Sequence, residues 1–145
     1  METKTHKRFM LGNLVLYMKN EVCRVMSIAD DVMCLKKMSD GYMLYARYAE
    51  IESIPLSDKF FLGNDYVLTQ PQKDGYRRVL ISIIPMDGFG PAITKYMNED
   101  GFAPYTTDYI EYCITGIIIR TIDEFQNIMN ICGCQNIADK VEVRL

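Results

Sequence analysis

Tryptophan is absent from this chain and histidine occurs once, as His6, in a basic leader that also holds Lys4, Lys7 and Arg8. A lone imidazole at an unanchored terminus leaves no ready Ser-His, Cys-His or His-based metal site, so the chemistry those pairs support is not expected. Long apolar runs are missing too. The longest, around Val79 to Met86 and Ile114 to Ile119, are under half of the ~20 residues a membrane helix needs, so no membrane association is expected. The opening METKTHKRFM has no apolar signal core. The five cysteines, Cys23, Cys34, Cys113, Cys132 and Cys134, are odd in number and unevenly spaced. Reduced thiols in a cytoplasmic protein are the expectation. Excess positive charge is lacking as well: 16 Lys and Arg against 19 Asp and Glu give a net charge of -3. That removes the general electrostatic reason to expect binding to a phosphate backbone. The balance is uneven, +1 up to Leu56 and -4 from Ser57 onward.

What is present is ordinary globular material: 145 residues, 49% of them hydrophobic, about one domain's worth of chain. After the leader, short alternating apolar runs alternate with turn residues, the mark of antiparallel strands. The runs are Leu14 to Met18, Val22 to Ile28, Val32 to Met38 and Tyr42 to Arg47, separated by Lys19-Asn20, Asp30-Asp31 and Ser39-Asp40-Gly41. Asn20 is the residue expected to take the left-handed conformation in the first turn. In the fourth run, Leu44 and Ala46 share one face with Tyr42, while Met43, Tyr45 and Arg47 share the other. Tyr48 to Ile51 reads as a single 3₁₀ turn before a fifth strand, Glu52 to Leu56. Five short strands with that turn before the last predict a small SH3-like β-barrel.

Ser57 is a candidate N-cap for a short helix, Asp58 to Leu62, ended by Gly63. Strands are then expected at Tyr66 to Thr69, Tyr76 to Ile84, Ala92 to Met97, Asp108 to Ile114 and Ile117 to Arg120, with Val141 to Leu145 as a final edge strand. The one strong helical pattern is Ile122 to Cys132. There Thr121 and Glu124 suit a capping box, Ile122, Phe125, Ile128, Met129 and Cys132 fall on one face, and Gly133 suits the position just past the end. The fold class expected is therefore α+β, mostly β: a disordered leader (1–8), an SH3-like β-barrel (9–56), and an antiparallel β-sheet with one packed C-terminal helix (57–145). Self-pairing of the Ala92 to Met97 or Val141 to Leu145 strand would make a homodimer.

Three short motifs follow one another along the chain: Leu11-Gly12-Asn13-Leu14-Val15, Ile54-Pro55-Leu56-Ser57 with a short helix after it, and the helix carrying Asp123-Glu124-Phe125-Gln126-Asn127-Ile128. In this the chain resembles uncharacterised small proteins of Bacteroidetes-type phages, prophages and mobile elements. Those carry an "IGN-V" opening, a "PIPLT" element and a C-terminal strand followed by an "ELQNL"-like helix. The resemblance implies a phage or mobile-element origin, a bacterial host cytoplasm and a small α+β fold, and it implies no catalytic residue.

Candidate chemistry is sparse. Cys132-Gly133-Cys134 could chelate a soft metal or form a redox couple, but the spacing does not suit a structural zinc site and a helix C-terminus does not favour a thiolate. The carboxylate pairs Asp30-Asp31, Glu99-Asp100 and Asp123-Glu124 could hold Mg²⁺ only if the fold brought them together, and turn and helix-start positions already account for them. No cofactor is expected, and no metal. Aromatic rings beside cations carry the binding expectation: Tyr17, Tyr42, Tyr45 and Tyr48 with Lys36, Lys37 and Arg47, joined by Phe89 in the loop Asp87-Gly88-Phe89-Gly90-Pro91. The reading is a non-enzymatic protein that binds a host or phage protein. The alternatives are a nucleic-acid or nucleotide-binding protein using the same residues and, as the weakest, a metal-dependent hydrolase needing carboxylates that converge.

Overall fold

The computed structural model describes residues 9–73, 75–86, 90–97, 101–105 and 117–144. The chain divides into two compact units, Met1–Ile54 and Pro55–Leu145. It is α+β and mostly β, built from antiparallel sheets with a C-terminal helix.

The N-terminal unit is a five-stranded antiparallel sheet. Its strands are β1 (Leu14–Tyr17), β2 (Glu21–Ile28), β3 (Val32–Lys37), β4 (Met43–Arg47) and β5 (Ile51–Glu52), in the spatial order β4-β3-β2-β1-β5. A 3₁₀ turn, Tyr48–Glu50, precedes β5. This order, with the turn in that place, is that of an SH3-like sheet, although no ladder joins β4 to β5 among the described residues. Period-two alternation explains the core: Val15, Cys23, Val25, Met33, Leu35 and Ala46 point to one side and are buried. The register slips between Val25 and Ser27, a bulge that lets β2 bend. One turn departs from expectation. Asn20 donates its N–H to the Tyr17 carbonyl at 3.2 Å, but the left-handed residues are Met18 (φ 50°) and Lys19 (φ 68°).

The C-terminal unit holds a second sheet in the order β10-β9-β8-β6, from β6 (Tyr66–Leu68), β8 (Val79–Pro85), β9 (Ala92–Tyr96) and β10 (Ala103–Tyr105). A two-residue β7 (Gln72–Lys73) pairs with β8. Helix α1 (Asp58–Leu62) begins as expected, with the Ser57 hydroxyl accepting the Phe60 N–H at 3.2 Å. Phe60 and Phe61 from α1 form a cluster with Tyr66, Phe102 and Phe125, in which edge-to-face and tilted ring contacts are 5.1 to 6.1 Å apart. Helix α2 (Ile122–Ile131) buries Ile122, Phe125, Ile128 and Met129, and Gly133 follows its end with φ 76°.

Several expectations need correction. The Thr121–Glu124 capping box does not form: the Thr121 hydroxyl donates to Glu124 Oε1 at 2.8 Å, and that oxygen also accepts the N–H of Arg120. Ile117 to Arg120 is no strand, and its pairing is a single bridge between Phe102 and Ile119. The third sheet strand starts at Val79, not Tyr76, because Arg77 takes φ 63°. Past α2 the chain forms a further helix, α3 (Gln135–Lys140), held by Gln126 Nε2 donating to the Ala138 carbonyl at 3.0 Å. The segment Val141 to Arg144 is not a strand. The Asn64 side chain occupies the Glu142 backbone, accepting its N–H at 2.7 Å and donating to its carbonyl at 2.9 Å. Neither route to self-pairing survives, since β9 lies between β8 and β10 and the C-terminal segment offers no strand. The expected leader and the strand Asp108 to Ile114 lie outside the described residues.

Candidate functional site

The binding residues expected from sequence separate into three sets. Tyr17 and Tyr48 pack against the core of the N-terminal unit, and the Tyr48 hydroxyl donates to the Ala29 carbonyl at 2.9 Å. Their rings therefore support the sheet. Lys37 and Tyr42 flank the turn of the β3–β4 hairpin, where the Lys37 N–H donates to the Tyr42 carbonyl at 2.8 Å. Lys37 also reaches Glu21 at 3.9 Å, so its charge has a neighbour of opposite sign. Phe89 lies outside the described residues.

Lys36, Tyr45 and Arg47 form the third set. Leu35 on β3 and Ala46 on β4 point into the core, so alternation sends Lys36, Tyr45 and Arg47 to the outer face. Tyr45 is 78% exposed in the middle of its strand. Met43, two residues earlier, is paired with Lys36 across the sheet, and Arg47 lies two residues later, paired with Val32. The pairing of β2 with β3 adds Arg24, directly opposite Lys36. Its Nη1 donates to the Gly12 carbonyl at 3.1 Å. Among the described residues neither Lys36 nor Arg47 forms an ion pair. The outward positions of β2, β3 and β4 thus carry Arg24, Lys36 and Arg47 on the same face as the exposed Tyr45 ring, and Glu50 Oε1 accepts the Arg47 backbone N–H at 2.9 Å. Arg24 and Met43 were absent from the expected set, because which residue faces Lys36 depends on the β2–β3 register.

Cys23, Cys132 and Cys134 are poor reagents where the structure places them. Burial, then Glu21, pushes the Cys23 thiol up from 9.0 to about 11. Burial raises the Cys132 and Cys134 thiols as well, with each other's proximity a lesser cause for Cys132, so neither is poised as a thiolate at neutral pH. Among the described residues no three His, Cys, Asp or Glu side chains come together, and no helix is long and apolar enough to cross a membrane. Glu99-Asp100 lies outside the described residues, while Asp123 is buried at the start of α2. No protein-family model, curated protein or solved structure matches the chain.

Proposed function

We propose that this chain is a non-enzymatic binding protein of phage or mobile-element type that holds an acidic segment of a host or phage protein against the outer face of β2, β3 and β4. The observation that carries the reading is the placement of Lys36 and Arg47 on the same outward face as the exposed Tyr45 ring, with Arg24 opposite Lys36, in a chain whose net charge is negative. Opposite cations on adjacent strands repel, and exposed aromatic and arginine side chains are the commonest anchors of protein interfaces. β4 is also an edge strand, so an extended partner can add to it by main-chain hydrogen bonds while its side chains meet the cations. The test is affinity capture from nuclease-treated host lysate with the wild type and a Lys36→Gln/Tyr45→Ser/Arg47→Gln variant. A protein retained by the first and lost by the second is the expected result. Identical retention by both would defeat the reading.

The same ring between cations also suits stacked bases, which supports nucleic-acid binding as a second reading. It predicts oligonucleotide affinity that falls with salt at a slope set by about three contacts, and loss of that affinity in a Lys36→Gln/Arg47→Gln variant. Lys37, turned toward Glu21, should contribute little.

A further inference from the structure

The C-terminal unit has 8 basic residues against 12 acidic ones, yet three of the 8 meet at one place. An open pocket of about 610 Å³ is lined by Ser57, Asp58, Lys59, Lys95, Phe102 and Arg120 among others. Its walls come from four separate parts of the chain, fixed by backbone pairing. The Leu56 N–H donates to the Arg120 carbonyl at 2.9 Å, and Phe102 and Ile119 exchange hydrogen bonds of 2.8 Å. Gly101 enters the pocket with φ 107°, where a Cβ would run into Ile118, so glycine is the residue this path accepts.

Within the pocket one cation is accounted for. Lys95 Nζ lies 3.0 Å from Asp58 Oδ1 and 5.5 Å from the centre of the Phe102 ring. Lys59 and Arg120 are exposed, and neither forms an ion pair among the described residues. With Asp58 offset by Lys95, Lys59 and Arg120 bring two further positive charges to the pocket lining, and the carboxylate near them among the described residues is Glu124, whose Oε1 accepts the Arg120 backbone N–H at 3.2 Å; cations gathered in a concave site concentrate anions. The volume falls in the range of small-molecule sites, and a guanidinium beside an ammonium offers both a bidentate fork and a point charge, the pair of donors a phosphate group takes.

We propose that this pocket binds the phosphate group of a small phosphorylated metabolite, with Lys59 and Arg120 receiving the phosphate oxygens and Lys95, tethered by Asp58, closing the third side. The site is separate from the face formed by β2 to β4 and stands or falls independently of it. The test titrates the full chain with ribose 5-phosphate and with inorganic phosphate at constant ionic strength, followed by calorimetry. Saturable one-to-one binding is expected. Tighter binding of the sugar phosphate assigns the site to an organic phosphate, and equal binding assigns it to free phosphate. Lys59→Gln/Arg120→Gln should weaken either by about tenfold or more, Lys59→Gln alone should lose part of that, and Lys140→Gln, on α3, should change nothing. Absence of saturation by about 10 mM of both probes, or an unaltered affinity in the double variant, overturns the proposal.

Discussion

Arg24 on β2 and Lys36 on β3 stand directly opposite one another across the outward face of the N-terminal sheet. Like charges in that relation cost roughly 0.2–1 kcal/mol; Arg24 is held by its bond to the Gly12 carbonyl, whereas Lys36 is exposed. Lys36→Glu replaces the repulsion with an attraction. The expected outcome is a rise in unfolding free energy of up to about 1 kcal/mol in urea denaturation, together with weaker retention of the acidic partner. A variant that lost stability would show that Lys36 serves the fold and not the face.

The first hairpin turn stores avoidable strain. Met18 and Lys19 both occupy the left-handed region, which side chains adopt at a cost and glycine does not. Lys19 is exposed, so Lys19→Gly removes no packing. It should raise the melting temperature, by an amount equivalent to about 0.5–1 kcal/mol. A fall instead would mean that glycine's added freedom in the unfolded chain outweighs the relief of strain.

The two units were not equally legible in the sequence, and the difference is one of range. The first four strands, the 3₁₀ turn at Tyr48–Glu50 and the Ser57 cap each rest on residues within a few positions of one another. Alternation and capping report such local choices directly. The errors come from partners far away in sequence. Val141, Glu142 and Val143 alternate as an edge strand would, but the backbone at Glu142 is taken by Asn64, 78 residues earlier. Helix α3 is short and held by Gln126 from α2, a contact that no pattern within Gln135–Lys140 announces. On the binding face, alternation alone places adjacent Lys36 and Lys37 on opposite sides of β3, whereas Arg24 joins Lys36 only through the register beyond a bulge.

Asn64 therefore deserves a direct test. Its side chain donates to the carbonyls of Phe60 and Glu142 and accepts the Glu142 N–H, tying the end of α1 to the C-terminal segment. Asn64→Ala removes all three bonds, and the expected loss is about 1–3 kcal/mol of stability. The Glu142 amide should exchange with solvent faster than in the wild type in a hydrogen-exchange measurement. Unchanged protection at that amide would show that other contacts hold the segment.

Cys23 gives the N-terminal unit a dependence on alkaline pH whose sign follows from its surroundings. The thiol lies in the core of the sheet, where burial first and Glu21 next disfavour the thiolate, raising its pKa from 9.0 to about 11. Below pH 9 the thiol is protonated in both the folded and the unfolded chain, and the shift has no effect on stability. Between about 9 and 11 the unfolded chain releases the proton while the folded chain keeps it, so stability falls as pH rises through that window. Cys23→Ala should flatten this part of the stability profile relative to the wild type, even though the missing sulfur lowers stability at every pH. In the folded wild type at pH 8, Cys23 should also react with iodoacetamide more slowly than Cys34, which sits on the outer side of β3 and is partly exposed. Parallel pH profiles for wild type and Cys23→Ala would assign the alkaline loss to other groups, and equal labelling of Cys23 and Cys34 would mean that the sheet opens readily enough to expose its core.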